Sequence, residues 1–343
     1  MDLSELDYDL PSELIAQTPA SSRDASRLLV IDRARAGFED RGFVELPDLL
    51  RAGDCLIVNN SRVIPARVLT RDADGREIEL LFVEAVDGHR WRALTRPGRR
   101  SRAGVELLAG DTSARLRIVG VEADGQRVVE RLDGSIDALL REHGRLPLPP
   151  YIRRFAAPTA DDLERYQTVY ARPPGSIAAP TAGLHFTPSL LEAIPRRGIE
   201  LHELTLHVGP GTFRPIKTQK VEDHALPPER VAIPASVADA VNRAHDERRR
   251  VIAVGTTTAR ALESAVESDG RVRPLDGEAR VYITPGYAFR AVDGLLTNFH
   301  LPRSSLLALV AAFAGRELIL KSYGHAVRSG YRFYSYGDAT LIL

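Results

Sequence analysis

The sequence predicts an α/β protein: a layered α/β/α domain with a mostly parallel sheet, interrupted by a small antiparallel β-barrel. Three observations carry this. Short apolar strands alternate with helical segments over residues 1–62 and 150–343, the texture of a sheet covered on both faces. Between them, β-prone runs are broken by Asp74-Gly75, Asp87-Gly88, Asp124-Gly125 and Asp133-Gly134, and Asp-Gly between alternating runs is a strong hairpin signal. A chain of 343 residues is long enough for two domains. The expected division is a discontinuous α/β domain (1–62 plus 150–343) with a barrel inserted at 63–149.

Taken in order, 11–15 reads as a helical turn and 27–31 as a buried strand. A short helix at 46–51 is closed by Gly53, and 55–58 is a second apolar strand ending in Asn59-Asn60-Ser61. The insert holds runs at 66–70, 77–84, 91–94, 114–121 and 127–132, five or six strands with no long helix. Leu146-Pro147-Leu148-Pro149-Pro150 closes it as a stiff linker. A helix is expected at 161–170 behind Thr159. Thr187 and Pro188 read as N-cap and first residue of a helix to 196. Strands follow at 199–208, 251–254 and 281–283, and helices at 236–248, 256–267, 304–315 and 316–328. No period of 20 to 50 residues repeats, so a solenoid is excluded.

Forty-six basic and 46 acidic side chains cancel, so any polyanion site is a local patch rather than a global field. Cys55 is the one cysteine, which excludes internal disulfides and cysteine-based zinc sites. The acidic N-terminus has no signal-peptide core, and the apolar run 306–314 is shorter than the ~20 residues a bilayer needs. A cytoplasmic chain is expected. No exposed apolar helix demands a partner, and a monomer is expected. His202 and His207 fall on opposite strand faces, His224 and Glu229 are separated by Pro227-Pro228, and HExxH is absent, so no metal site is expected. Walker A, GxGxxG and GxSxG patterns are absent as well.

Four stretches carry the candidate chemistry. Residues 178–188 form a small, nearly uncharged loop pinned by Pro180 and Pro188. In it Gly183 permits a positive φ and His185 is the only titratable group. It reads either as a ligand wall or as an ordinary connection. Gly255-Thr256-Thr257-Thr258 places hydroxyls and free N–H groups at a strand end and helix start, suited to an anion. Asp223-His224 pairs a carboxylate with a potential general base. Arg90, Arg92, Arg96, Arg99, Arg100 and Arg102 surround a hairpin turn with Trp91 among them. That is a candidate RNA backbone contact, with Trp91 assigned to the barrel core.

Together these stretches resemble one family. Its signatures stand at Tyr8-Asp9-Leu10-Pro11, at 23–28, at Tyr166-Gln167-Thr168-Val169-Tyr170-Ala171 and at 175–186. They continue at Thr205-Leu206-His207-Val208-Gly209-Pro210-Gly211-Thr212-Phe213, at 254–257 with Arg260, at Thr297-Asn298-Phe299-His300-Leu301-Pro302 and at 331–339. The chain is similar to the S-adenosylmethionine:tRNA ribosyltransferase-isomerases of queuosine synthesis. One departure stands out. The family pattern Asp/Glu-His-x-Met-His-x-Glu reads Asp223-His224-Ala225-Leu226-Pro227-Pro228-Glu229 here, with Pro227 at the second histidine.

The resemblance implies transfer and isomerisation of the ribosyl part of S-adenosylmethionine onto 7-aminomethyl-7-deazaguanine at the tRNA wobble position. Epoxyqueuosine forms, and adenine and methionine leave. S-adenosylmethionine is a co-substrate, so no permanently bound cofactor and no metal are implied; tRNA and the donor are the partners. The implied chemistry needs a base beside the sulfonium, expected at His185 or His224, the latter oriented by Asp223. Substrate contacts are expected from Arg23, Asp24, Asn60, Thr181, Gly183, Phe186, Gly209, Gly211, Thr212, Thr256, Thr257, Arg260, Asn298, His300 and Asp338. Among them, the turns at Gly209–Thr212 and Gly255–Thr257 would hold the methionine carboxylate or the ribose.

Overall fold

The structure, a computed structural model, describes residues 1–110, 114–153, 158–213 and 215–343, without the side chains of Thr212 and Phe213. In chain order, β1 (Arg27–Asp32) and β2 (Gly37–Gly42) make a hairpin, followed by α1 (Leu46–Leu49) and β3 (Cys55–Asn59). After β4 (Arg62–Val63) come β5 (Arg67–Arg71), β6 (Glu77–Ala85), β7 (Arg90–Arg96), β8 (Glu106–Ala109), β9 (Ala114–Val121), β10 (Arg127–Arg131) and α2 (Ile136–His143). The chain continues through α3 (Ala160–Arg165), β11 (Pro174–Ser176), α4 (Pro188–Arg196), β12 (Glu200–Leu206), β13 (Glu229–Ile233) and α5 (Ala235–Asp246). It ends with β14 (Val251–Val254), α6 (Thr256–Ser264), β15 (Leu275–Ala279), β16 (Gly294–Asn298), α7 (Ser305–Ala314), α8 (Arg316–Arg328) and β17 (Ala339–Ile342).

Nine strands form the main sheet in the order β15-β13-β12-β3-β14-β16-β17-β1-β2. The run β12-β3-β14-β16 is parallel, and so is β17-β1. The pairs β15-β13, β13-β12, β16-β17 and β1-β2 are antiparallel. The sheet is thus mixed, with its parallel stretch at the centre. Alternation along β3 sorts its side chains: Cys55 and Ile57 enter the core under α5–α8, Leu56 and Val58 the core under α1 and α4. Apolar side chains on both faces are what a central strand requires.

Strands β5–β10 close into a barrel, with Leu80, Phe82, Leu116 and Ile118 filling it. Trp91 packs at its margin, edge-on to Phe82 at 6.3 Å. The helix α2, unforeseen because its eight residues follow a turn-rich stretch, covers the barrel with Ile136, Leu139 and Leu140. Leu146 and Leu148 of the proline-rich linker are buried with Tyr166 and Tyr336 of the α/β part.

Two expected elements end early or fail. The helix starting behind Thr159 has its capping box with Asp162 but stops at Arg165, because Tyr166 turns inward to pack edge-on against Tyr336. Residues 281–283 are not a strand. The edge strand is β15 instead, and the Val281 carbonyl accepts from Arg260 Nε at 3.2 Å rather than from a neighbouring strand. The guanidinium also reaches the Ala279 carbonyl and forms a 2.5 Å ion pair with Glu229, both side chains 5% exposed. Glu229 in turn accepts from the Gly209 N–H at 2.8 Å.

Cutting one partner of such a buried pair leaves the other charge uncompensated, at about 3–5 kcal/mol. Glu229→Ala should therefore lower folding stability in urea by that amount. The double variant Glu229→Gln, Arg260→Met should lose less than Glu229→Ala alone; an equal or larger loss would contradict the assignment.

Candidate active site

The carboxyl ends of the parallel strands β12, β14 and β16 open on one side of the sheet, where ligands of layered α/β proteins characteristically bind. A cleft there is lined by Ala179, Pro180, Thr181, Ala182, Val208, Gly255, Thr256, Thr257, Thr297, Asn298, His300, Leu306, Tyr334 and Ser335. The cleft, open to solvent on one side, holds about 460 Å³ of space.

One wall is the start of α6. Gly255, with φ of 93°, makes the strand-to-helix turn, a conformation open to glycine at little cost. The first internal helix bond is from the Ala259 N–H to the Gly255 carbonyl, which leaves the N–H groups of the first turn without helical acceptors. No acidic side chain occupies that turn. Thr258 Oγ1 donates back to the Val254 carbonyl at 2.6 Å. Thr257 Oγ1 is buried without a hydrogen-bond partner among the described residues.

The same cleft is lined by Asn298, 2% exposed. Its Nδ2 donates to the Tyr334 carbonyl at 3.1 Å and to His185 Nε2 at 3.2 Å. A carbonyl only accepts, so the amide orientation is determined, and Oδ1 is the atom left without a partner among the described residues. His185 Nε2 accepts, hence Nδ1 carries the proton and donates to Ser26 Oγ at 2.7 Å. The ring lies 4.9 Å from Phe43. Burial pushes the His185 pKa down to about 4 and that of His300, beside Thr297, to about 3. Both rings are neutral at pH 7. Tyr334 has φ of 74°, sparsely populated for a bulky residue.

A second, adjoining cleft shares Ser335 and is lined by Arg23, Ser26, Arg165, Leu184, His185, Tyr336 and Gly337, among others. Arg23 braces it, donating to the Leu184 carbonyl at 3.2 Å and the Glu164 carbonyl at 3.0 Å.

Residues 3–342 match the family model described as queuosine biosynthesis protein. The chain belongs to the queuosine biosynthesis protein family. The S-adenosylmethionine:tRNA ribosyltransferase-isomerase of Thermus thermophilus is 51% identical, with 99% of each chain covered. That of Desulfitobacterium hafniense is 47% identical, with 100% of each chain covered. The crystal structure of S-adenosylmethionine tRNA ribosyltransferase from Thermotoga maritima is similar, with a TM-score of 0.57 and 36% identity. That match covers 99% of this chain and 100% of the other.

The family motifs divide by role once placed. Thr181, Thr256, Thr257, Asn298 and His300 line the first cleft, and Arg23 and His185 the second. Gly183 adjoins them, but not for the expected reason. Its φ is not positive; a Cβ there would overlap the Tyr170 hydroxyl and lie 2.8 Å from Thr168 Cγ2. Phe186 is fully buried, edge-on to Phe43. Arg260 is spent on Glu229 and two carbonyls, and Gly209 is tied to the same carboxylate. Asn60 bonds Glu203 and Thr205, and Asp338 accepts from the Arg27 and Arg332 N–H groups. Asp24 accepts from Ser22.

A Cβ on Gly211 would sit 3.1 Å from Pro227, the residue at the family's second histidine. Asp223 is exposed and His224 half-buried against Tyr282. Thr212 lies in the turn Pro210–Phe213, its side chain outside the described residues. Thr297, Tyr334 and Ser335, within the motifs at 297–302 and 331–339 but absent from the expected substrate contacts, also line the first cleft. Their cleft positions follow from the pairing of β16 with β17, which brings Asn298 opposite Ala339.

Two buried neutral histidines make folding stability pH-dependent. An unfolded histidine titrates near pH 6.5, so below that pH the unfolded chain binds more protons than the folded one. The stability is complete above about pH 6.5 and falls as pH drops toward 4. Each histidine adds a slope of up to about 1.4 kcal/mol per pH unit. Urea unfolding at pH 7, 6 and 5 should show this fall, and His185→Gln should reduce the slope by about one proton. An unchanged slope would remove His185 from the account.

Proposed function

We propose that the chain transfers the ribosyl moiety of S-adenosylmethionine to 7-aminomethyl-7-deazaguanine at the tRNA wobble position. In the same reaction it isomerises that moiety to the epoxycyclopentane of epoxyqueuosine and releases adenine and methionine. The observation that carries this is near-half identity, end to end, with relatives named for this activity. The cleft at the carboxyl ends of β12, β14 and β16, lined by family motifs, supports it as the donor site.

The reaction needs a proton removed beside the sulfonium, an amine nucleophile and a departing adenine. His185 engages both ring nitrogens, and burial lowers the proton affinity of His185 and His300 alike. In this reading both position neighbours. His224, half-buried and three residues before the Pro227 that meets Gly211, serves as the base. The tRNA contact is read from the hairpin arginines. Arg90 pairs with Asp87 and Arg92 with Glu84 and Glu122, whereas Arg96, Arg99, Arg100 and Arg102 form no ion pair among the described residues. Those four are the cations left for phosphate.

Mass spectrometry of precursor tRNA incubated with protein and S-adenosylmethionine tests the activity. Epoxyqueuosine with free adenine is the expected result; salt-sensitive tRNA binding without turnover would reduce the protein to an RNA-binding module. His224→Ala should slow adenine release at least 100-fold, and release at the wild-type rate would sink that assignment.

For the RNA contact, Arg99→Ala with Arg102→Ala should weaken tRNA binding and lower the salt slope by about two. S-adenosylmethionine binding should be unaffected. An unaltered salt slope would move the RNA surface off the barrel.

A further inference from the structure

Among the described residues, the donor cleft contains charge-matching groups but no charged side chain. None of the residues lining it is Asp, Glu, Lys or Arg. On one side is the positive end of α6, nine residues long, with its first-turn N–H groups and the buried Thr257 hydroxyl. Asn298, at the end of the neighbouring strand β16, lines the same cleft, and its Oδ1 is an acceptor whose amide cannot flip because Nδ2 is held by the Tyr334 carbonyl. Asn298 is 2% and Thr257 7% exposed, and neither Oδ1 nor Oγ1 has a protein partner among the described residues. A buried polar atom left unbonded is unfavourable by about 1–3 kcal/mol, so both atoms call for a ligand.

Donors on α6 and a neutral acceptor at the end of β16 match a group with an anion at one end and N–H donors at the other. A ribose has neither charge, and an adenine has no anion for the helix terminus. An α-amino-acid group has both charges and is neutral overall, which suits a cleft whose own charges are only partial. We propose that this cleft seats the α-amino-acid end of S-adenosylmethionine. The carboxylate lies on the α6 N-terminus and Thr257 Oγ1, and the ammonium donates to Asn298 Oδ1. The adenosine part is then directed away from α6. The proposal rests on S-adenosylmethionine being the donor and adds which of its ends meets which wall.

Calorimetry on the full chain with two ligands separates the parts. S-adenosylmethionine carries the amino-acid end; 5′-methylthioadenosine keeps the adenosine and sulfur but lacks it. Thr257→Val is the decisive variant, because the hydroxyl it removes makes no bond among the described residues and folding should be untouched. It should weaken S-adenosylmethionine about tenfold and leave 5′-methylthioadenosine unchanged. Asn298→Ala should act likewise on the ligands but also destabilise the fold, since it cuts the bonds to His185 and Tyr334. Equal weakening of both ligands would place adenosine in the cleft and overturn the proposal, as would S-adenosylmethionine binding unaltered by Thr257→Val. If the wild-type chain bound neither ligand, the donor reading itself would fall.

Discussion

The cleft is held together by one side-chain amide. Asn298 ends the central strand β16, and its Nδ2 clamps the Tyr334 turn on one side and the His185 ring on the other. His185 passes the constraint to Ser26 in the N-terminal segment, whose neighbour Arg23 braces the carbonyl of Leu184. Three segments distant in sequence are thereby locked through neutral hydrogen bonds in a dry environment, where each bond is strong and each loss is exposed. Neutrality of the imidazole is part of the device. A protonated ring would present a second donor to an amide nitrogen that only donates, and burial guards against this by lowering the His185 pKa.

The α6 wall depends on a charged counterpart. Arg260, on the first turns of α6, and Glu229, at the start of β13, form a buried pair that also takes in Gly209, Ala279 and Val281. The helix that offers its N-terminus to the cleft is thus anchored to the antiparallel edge of the sheet and to the turn after β12. Pro227 sits beside Gly211 in the same region. The chain fills with a proline ring the place where its relatives' motif has an imidazole, and it retains His224 and Glu229 on either side.

Much of this was legible in the sequence, and the failures have definite causes. Five of the six barrel strands, the central strands β3 and β14, and helices α4–α8 follow from apolar periodicity and caps such as Thr187 and Ser304. Strands β2, β8, β13, β16 and β17 were not foreseen. They are short, or gain their strand character from pairing with residues far along the chain. Of the motif residues expected at substrate, Phe186, Arg260, Asp338 and Asn60 also carry internal packing or hydrogen bonds. A motif marks a position as specific. It does not separate a side chain that meets a ligand from one that holds the loop that does.

Sequence alone determined the α/β class, the interruption by a small barrel, the small-residue loop before α4 and the threonine-rich start of α6. All of these rest on local rules of periodicity, turn chemistry and capping. Tertiary structure decided the rest. It set the mixed order of the sheet, the reason for Gly183 (the Tyr170 hydroxyl rather than its own φ), and the neutral state of His185. It also decided which polar atoms are left over. Asn298 Oδ1 is left for a ligand because Nδ2 is taken by partners more than 30 residues away, and only folding brings those partners within hydrogen-bond reach.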